Sequence, residues 1–293
     1  MDKRKWVQAL WAFASNAHVQ GFWQGKIYKG KLKNVCVPGL NCYSCPGALG
    51  SCPIGAMQAV EGSTKYGFSM YVLGFLVCIG LLCGRLICGW LCLFGWIQEL
   101  LHKIPFKKIK VPKKLNSVLG KLKYAILLLF VIIFPIATVN EFGISTPFFC
   151  KYICPVGTLE GGIPLLIANP SLRAAAGFLF SWKMVILLAV ILFSMMIFRP
   201  FCRYVCPLGA FYGLFNGISL YRYEVDSDKC TKCGVCSGAC KMDITPYETP
   251  NSPECIRCGD CVKACPHHAV RRNLAGPVGF VLVFALQSLS LIH

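Results

Sequence analysis

Cys230, Cys233, Cys236 and Cys240 follow C-x2-C-x2-C-x3-C spacing, and Cys255, Cys258, Cys261 and Cys265 repeat it. Thiolates at these intervals let one tight loop hold three corners of an iron–sulfur cubane, while the fourth cysteine of each run ligates the other cluster. The pattern predicts one [4Fe–4S] cluster on Cys230, Cys233, Cys236 and Cys265, and a second on Cys255, Cys258, Cys261 and Cys240. The crossed fourth ligands bring the two clusters close enough to exchange electrons. Gly234 and Gly259 relieve crowding where backbone nears a cluster. Pro266 closes the second run, and Lys241 stands where the first would carry a proline. Zinc sites rarely need a third and fourth cysteine at this spacing.

A second pattern recurs upstream: a cysteine, then Pro or Leu, an apolar residue, Gly and a helix. It appears at Cys52-Pro53, Cys92-Leu93, Cys154-Pro155 and Cys206-Pro207, and three copies have a partner four residues earlier, at Cys88, Cys150 and Cys202. Proline after the ligand suits the first helical position, and the helix N-terminal amides would point back at an anionic cluster. Cys88, Cys92, Cys202 and Cys206 are expected to form one four-thiolate site. Cys42, Cys45 and Cys52, together with Cys36 or with Cys150 and Cys154, offer more than one way to build another. Cys78 and Cys83 lie inside an apolar run without this pattern and read as core residues.

These sites must be carried by membrane helices. The 293 residues are 56% hydrophobic and 14% charged, too apolar for a soluble chain. Spans are expected over 67–87, 122–139 and 178–198. A weaker one covers 6–23, and 276–292 is about long enough for a fifth. The net charge of +18 sits largely in Lys-rich segments between apolar runs. That distribution suits cytoplasmic helix ends and lipid headgroups rather than nucleic acid. The positive-inside rule places residues 1–5, 103–123 and 199–272 in the cytoplasm. Cys88, Cys92, Cys202 and Cys206 then lie toward the inner face, and Cys42, Cys45, Cys52, Cys150 and Cys154 toward the outer. Thiolates must stay reduced for cluster insertion, which also favours a cytoplasmic ferredoxin part. The expected fold is a mainly α, multi-pass bundle of four or five spans over 1–220, a small α+β ferredoxin domain over 221–272, and a C-terminal apolar helix over 273–293.

The paired C-x3-C-P-x-G motifs followed by two ferredoxin motifs resemble the membrane polyferredoxins of the NapH, NosR and YccM type. The Pro38-Gly39-Leu40-Asn41-Cys42-Tyr43-Ser44-Cys45-Pro46 segment is similar to a subfamily marker. The resemblance covers nearly the whole chain. It implies a multi-pass inner-membrane protein passing electrons between quinol or a cytoplasmic donor and an extracytoplasmic acceptor. NosR-type members also carry an extracytoplasmic flavin-binding domain, so flavin is expected here only through a partner flavoprotein.

No C-x2-C-H is present, so covalent haem is not expected, and the five His residues do not pair across spans for haem b. There is no dinucleotide or Walker fingerprint. The leading expectation is a relay of single electrons through several [4Fe–4S] clusters. A quinol dehydrogenase would need an acid or base near the inner site, for which Glu99, His102 and Glu160 are candidates. An accessory role in redox sensing or maturation is the third class. His18 reads as a packed helix residue.

Overall fold

A computed structural model describes residues 3–62, 70–139 and 145–274. Helix α1 (Lys3–Ser15) turns Arg4, Gln8, Ala12 and Ser15 inward, a spacing that lines one helical face. Helix α2 (Gln20–Gln24) is a single turn. A long loop then leads to α3 (Pro53–Gly62), α4 (Tyr71–Cys83), α5 (Leu86–Trp90) and α6 (Leu93–His102). Helix α7 (Lys113–Ile126) runs through a wide π-helical turn, Leu127–Ile133, into α8 (Phe134–Ala137). Two more wide turns, Phe149–Ile153 and Gly157–Gly162, precede α9 (Ile163–Ala168), α10 (Pro170–Ala174), α11 (Phe178–Met196), α12 (Pro200–Tyr204) and α13 (Pro207–Phe215).

Residues 221–274 form a small unit closed by an antiparallel pair, β1 (Tyr221–Val225) and β2 (Val270–Leu274), with Tyr223 opposite Arg272. Between the strands lie α14 (Val235–Ala239) and α15 (Asp260–Ala264). The expected mainly helical fold with a C-terminal ferredoxin unit is therefore present.

Two of the expected spans are found as long apolar helices. Among the described residues two helices are long and apolar enough to cross a membrane: Lys114–Ala137 and Phe178–Met196, with mean hydropathies of 2.1 and 2.2. Val118, Leu128, Ile136, Val185, Leu188 and Leu192 on these helices face outward, as side chains in contact with lipid would. The 67–87 run is broken. Helix α4 ends where Gly84 adopts a left-handed φ of +50°, and the adjacent Arg85 is completely buried. The first apolar run divides into α1 and α2 around residues 16–19. Residues 276–292 lie outside the described residues.

The main core gathers Leu76, Ile87, Phe94, Phe201, Leu208 and Tyr212 around the upstream cysteines. Tyr223, Val270 and three ferredoxin cysteines form a smaller one.

Candidate iron–sulfur centres

The two ferredoxin loops share one backbone course. Lys232 and Arg257, each just before a cysteine, both adopt φ 53°, and Gly234 and Gly259 just after it adopt 76° and 86°. Asp243 and His268, each three residues past the fourth cysteine, match again at 53° and 49°. Left-handed residues flanking a cysteine can turn neighbouring amides toward one concavity, which suits an anionic guest. Cys230, Cys233, Cys236 and Cys265 line one pocket. Cys240, Cys255, Cys258 and Cys261 line a second, together with Tyr223, Met242, Ile244 and Ile256. These groupings are the crossed sets that the spacing predicts. Among the described residues no three His, Cys, Asp or Glu side chains converge on one point, as ligands of a single ion would.

Upstream, each of the four repeat cysteines begins a helical turn and faces the amide of the glycine three residues on. Gly95 N–H donates to Cys92 Sγ and Gly209 N–H to Cys206 Sγ, each at 3.4 Å. Gly55 and Gly157 turn their amides toward Cys52 and Cys154 in the same way. The thiol thus caps the helix as an Asp or Ser would. A side chain at these glycines would enter the site: a Cβ on Gly55 would lie 3.8 Å from Cys150 Sγ, and one on Gly157 3.7 Å from Cys42 Sγ.

Two quartets result. Every pair among Cys88, Cys92, Cys202 and Cys206 is close enough for their charges to interact. Two arginines cross between the halves of this inner site. Arg85, three residues before Cys88, donates to Cys202 O at 3.1 Å. Arg199, three residues before Cys202, donates to Cys88 O. Both are completely buried. Arg85 and Lys123 pair with Glu254, while Arg4 and Arg199 pair with Glu99. Four cations against two carboxylates leave positive charge around the thiols. A cubane held by four thiolates is anionic, so this surplus suits it.

A second group of thiols interacts in the same way. Every pair among Cys42, Cys52, Cys150 and Cys154 interacts. No cysteine precedes Cys52 by four residues; Ala48 occupies that position, and Cys42 from the loop supplies the fourth thiol. Burial first, then the neighbouring Glu160 carboxylate, push the Cys42 thiol up to about 12. Binding of a cationic guest would be coupled to loss of the thiol protons. Cys45 lies beside Cys42 but turns its thiol to Asn16 Oδ1 at 3.7 Å, and Cys36 sits in a backbone bridge to Ser51. Cys83 accepts Arg257 through its carbonyl and, like Cys78, stands outside both quartets.

The sites abut one another. Ile256 and Arg257, within the second ferredoxin loop, pack directly on α5. A Cβ on Gly89 would sit 2.2 Å from Ile256 O, Trp90 Nε1 donates to Arg257 O at 3.0 Å, and Arg257 donates to Cys83 O and Asn216 O. On the other side, consecutive amides of one loop face two sites, Leu40 toward Cys92 and Asn41 toward Cys52. The inner and outer sulfurs are therefore on the order of 10 Å apart at their nearest. The topology reading placed these two sets toward opposite faces; in the structure both pack in or against one core. The 38–42 loop, which hydropathy assigned to the outside, folds into the core beneath Tyr212, whose hydroxyl donates to Pro38 O at 3.0 Å.

The three candidate acids and bases differ in their surroundings. Glu99 is saturated by Arg4 and Arg199, and His102 contacts Ser194 O. Glu160 Oε2 accepts Cys42 N–H at 2.8 Å, while Oε1 has no partner among the described residues. Burial raises its carboxyl to about 8. His18 packs on Tyr28 and Pro46. Sequence reasoning missed Gln58, Gln98, Arg85 and Arg199. Their signals were present as C-x2-G-x2-Q at Cys52 and Cys92 and as R-x2-C before Cys88 and Cys202.

A 4Fe-4S binding domain matches over 66–112, 124–164 and 179–221, and a second 4Fe-4S binding domain over 250–271. YccM of Escherichia coli is 26% identical over 187 residues, covering 60% of this chain and 46% of its own length. The chain belongs to the YccM and NosR group of ferredoxin-type proteins. An uncharacterized protein of Methanocaldococcus jannaschii is 29% identical over 169 residues, with 58% of this chain and 63% of that protein covered. MauN of Methylorubrum extorquens, a methylamine utilization ferredoxin-type protein, is 27% identical over 202 residues, with coverage of 66% and 58%. The chain thus spans less than two thirds of each of these relatives. No solved structure matches it. Iron–sulfur binding and electron transfer are the properties this membership carries.

Proposed function

We propose that the chain relays single electrons through four [4Fe–4S] centres arranged in series. The first is held by Cys230, Cys233, Cys236 and Cys265, and the second by Cys240, Cys255, Cys258 and Cys261. The inner quartet of Cys88, Cys92, Cys202 and Cys206 follows, and the outer quartet of Cys42, Cys52, Cys150 and Cys154 ends the row. Bound clusters supply the one-electron chemistry; the protein supplies position, charge and exclusion of water. The observation that carries this reading is contact between successive sites, through Gly89 and Ile256 at one junction and Leu40 and Asn41 at the other. Cys233 is exposed while Cys255 and Cys261 are buried, so a soluble donor meets the first centre. That donor is a cytoplasmic redox protein. The far end exchanges electrons with the quinone pool or an extracytoplasmic partner such as a flavoprotein. Residues 1–220 act as the membrane domain, 221–272 as the ferredoxin head and 273–293 as a further apolar helix.

Iron analysis of protein purified without oxygen, combined with EPR of the reduced state, tests the assignment. Cys42→Ser is expected to remove the iron and signal of one centre, whereas Cys45→Ser and Cys36→Ser retain them. Loss in Cys45→Ser with retention in Cys42→Ser would refute the outer quartet.

A further inference from the structure

The residue six positions after each repeat cysteine is polar and buried: Gln58, Gln98, Glu160 and Tyr212. Glu160 and Tyr212 hold the 38–42 loop. The two glutamines make one shared set of bonds in two different sites. Gln98 Nε2 donates to Cys202 Sγ at 3.1 Å and to Phe94 O at 3.3 Å, while its Oε1 accepts Phe201 N–H at 3.2 Å. Gln58 Nε2 donates to Cys150 Sγ at 3.3 Å and to Ile54 O at 3.2 Å, and its Oε1 accepts Phe149 N–H at 3.1 Å.

Backbone chemistry fixes the amide orientation. A phenylalanine N–H can only donate, so the side-chain oxygen must face it, and the two hydrogens of Nε2 must serve the helix carbonyl and the sulfur. Gln58 and Gln98 are 0% and 1% exposed, so water does not compete for the sulfur. A donor aimed at a ligand sulfur favours the more negative, reduced form of a cluster and raises its potential.

We propose that Gln98 and Gln58 are positioning residues that set the reduction potentials of the inner and outer centres through these N–H···S bonds. The proposal rests on the reading that both quartets hold clusters. Because the same device serves both, it brings adjacent centres into the same potential range.

The test is an EPR-monitored redox titration of the full chain, with the outer signal assigned by its loss in Cys42→Ser. Gln98→Leu and the length-matched Gln98→Met both lack the donor. Each is expected to retain full iron and to shift the inner centre's reduction equilibrium about tenfold toward the oxidised form, ~59 mV for one electron. The outer centre stays in place. Gln58→Met is expected to do the reverse. Unchanged potentials in iron-replete variants overturn the proposal, as does a shift of both centres together. Loss of the inner centre's iron in both Gln98 variants also overturns it, because the residue would then be an assembly element. Wild-type protein without iron at these quartets would refute the relay itself, a result separable from any of these.

Discussion

Gly89→Ala tests the junction between the ferredoxin head and the inner site. The added methyl would lie 2.2 Å from Ile256 O, where Cβ contacts below 3.0 Å essentially never occur. Both partners are backbone, so no flexible side chain can move aside. The loop bearing Ile256 and Arg257 must retreat by about 1 Å, and the Trp90 bond to Arg257 O stretches with it. Overpacking of this kind costs about 1–3 kcal/mol, equivalent to a 5–150-fold fall in the docked population. Gly217→Ala, whose methyl meets nothing within 4 Å, is the matched control. Hydrogen exchange at 255–258 should accelerate by that factor in Gly89→Ala alone. After rapid mixing with a reductant of the head, reduction of the inner centre should slow, while reduction of the head itself should not. Exchange rates within twofold of wild type would show that this contact does not hold the head in place.

Glu254→Ala leaves the buried Arg85 and Lys123 without their shared carboxylate. A loss of about 3 kcal/mol is expected by urea unfolding, at the lower end of the usual range because Glu254 is itself 25% exposed. Burial raises the Glu254 pKa, but Arg85 and Lys123 outweigh it and hold the pKa below its ordinary value. The stabilisation is therefore full above the unfolded value of about 4.3 and is lost as pH falls through the lower folded value. Hydrogen exchange across acid pH should show the head loosening in that window in wild type but not in Glu254→Ala. Glu160 behaves in the opposite way. Its folded value of about 8 lies above the unfolded one, so wild-type stability should decline as pH rises from about 4.5 to 8. Glu160→Gln should abolish that slope in thermal melts, and a variant that kept it would refute the assignment.

The ferredoxin loops could be read almost completely from sequence because all eight cysteines and their turn glycines are local. Spacing alone groups the cysteines as the two pockets do. The proximity of Cys88, Cys92, Cys202 and Cys206 was also readable, since they carry their own repeat. The outer quartet was not, because Cys42 replaces a cysteine absent at Ala48 through a loop that approaches from elsewhere in the chain. Hydropathy over 67–87 did not reveal the break at Gly84 for a related reason. It averages over Arg85 and Gly84, yet these residues end the helix and carry a charge to the site. Burial of Arg4, Arg85 and Arg199 is paid by carboxylates far away in sequence, and no local window contains both partners.

The crossing of Arg85 and Arg199 has an evolutionary consequence. Each hairpin donates its guanidinium to the other, so neither is a portable module: a transplanted copy would arrive with sulfurs but with its own carbonyl ungripped. Chimaeras exchanging one hairpin between relatives should therefore assemble only where both R-x2-C motifs are kept.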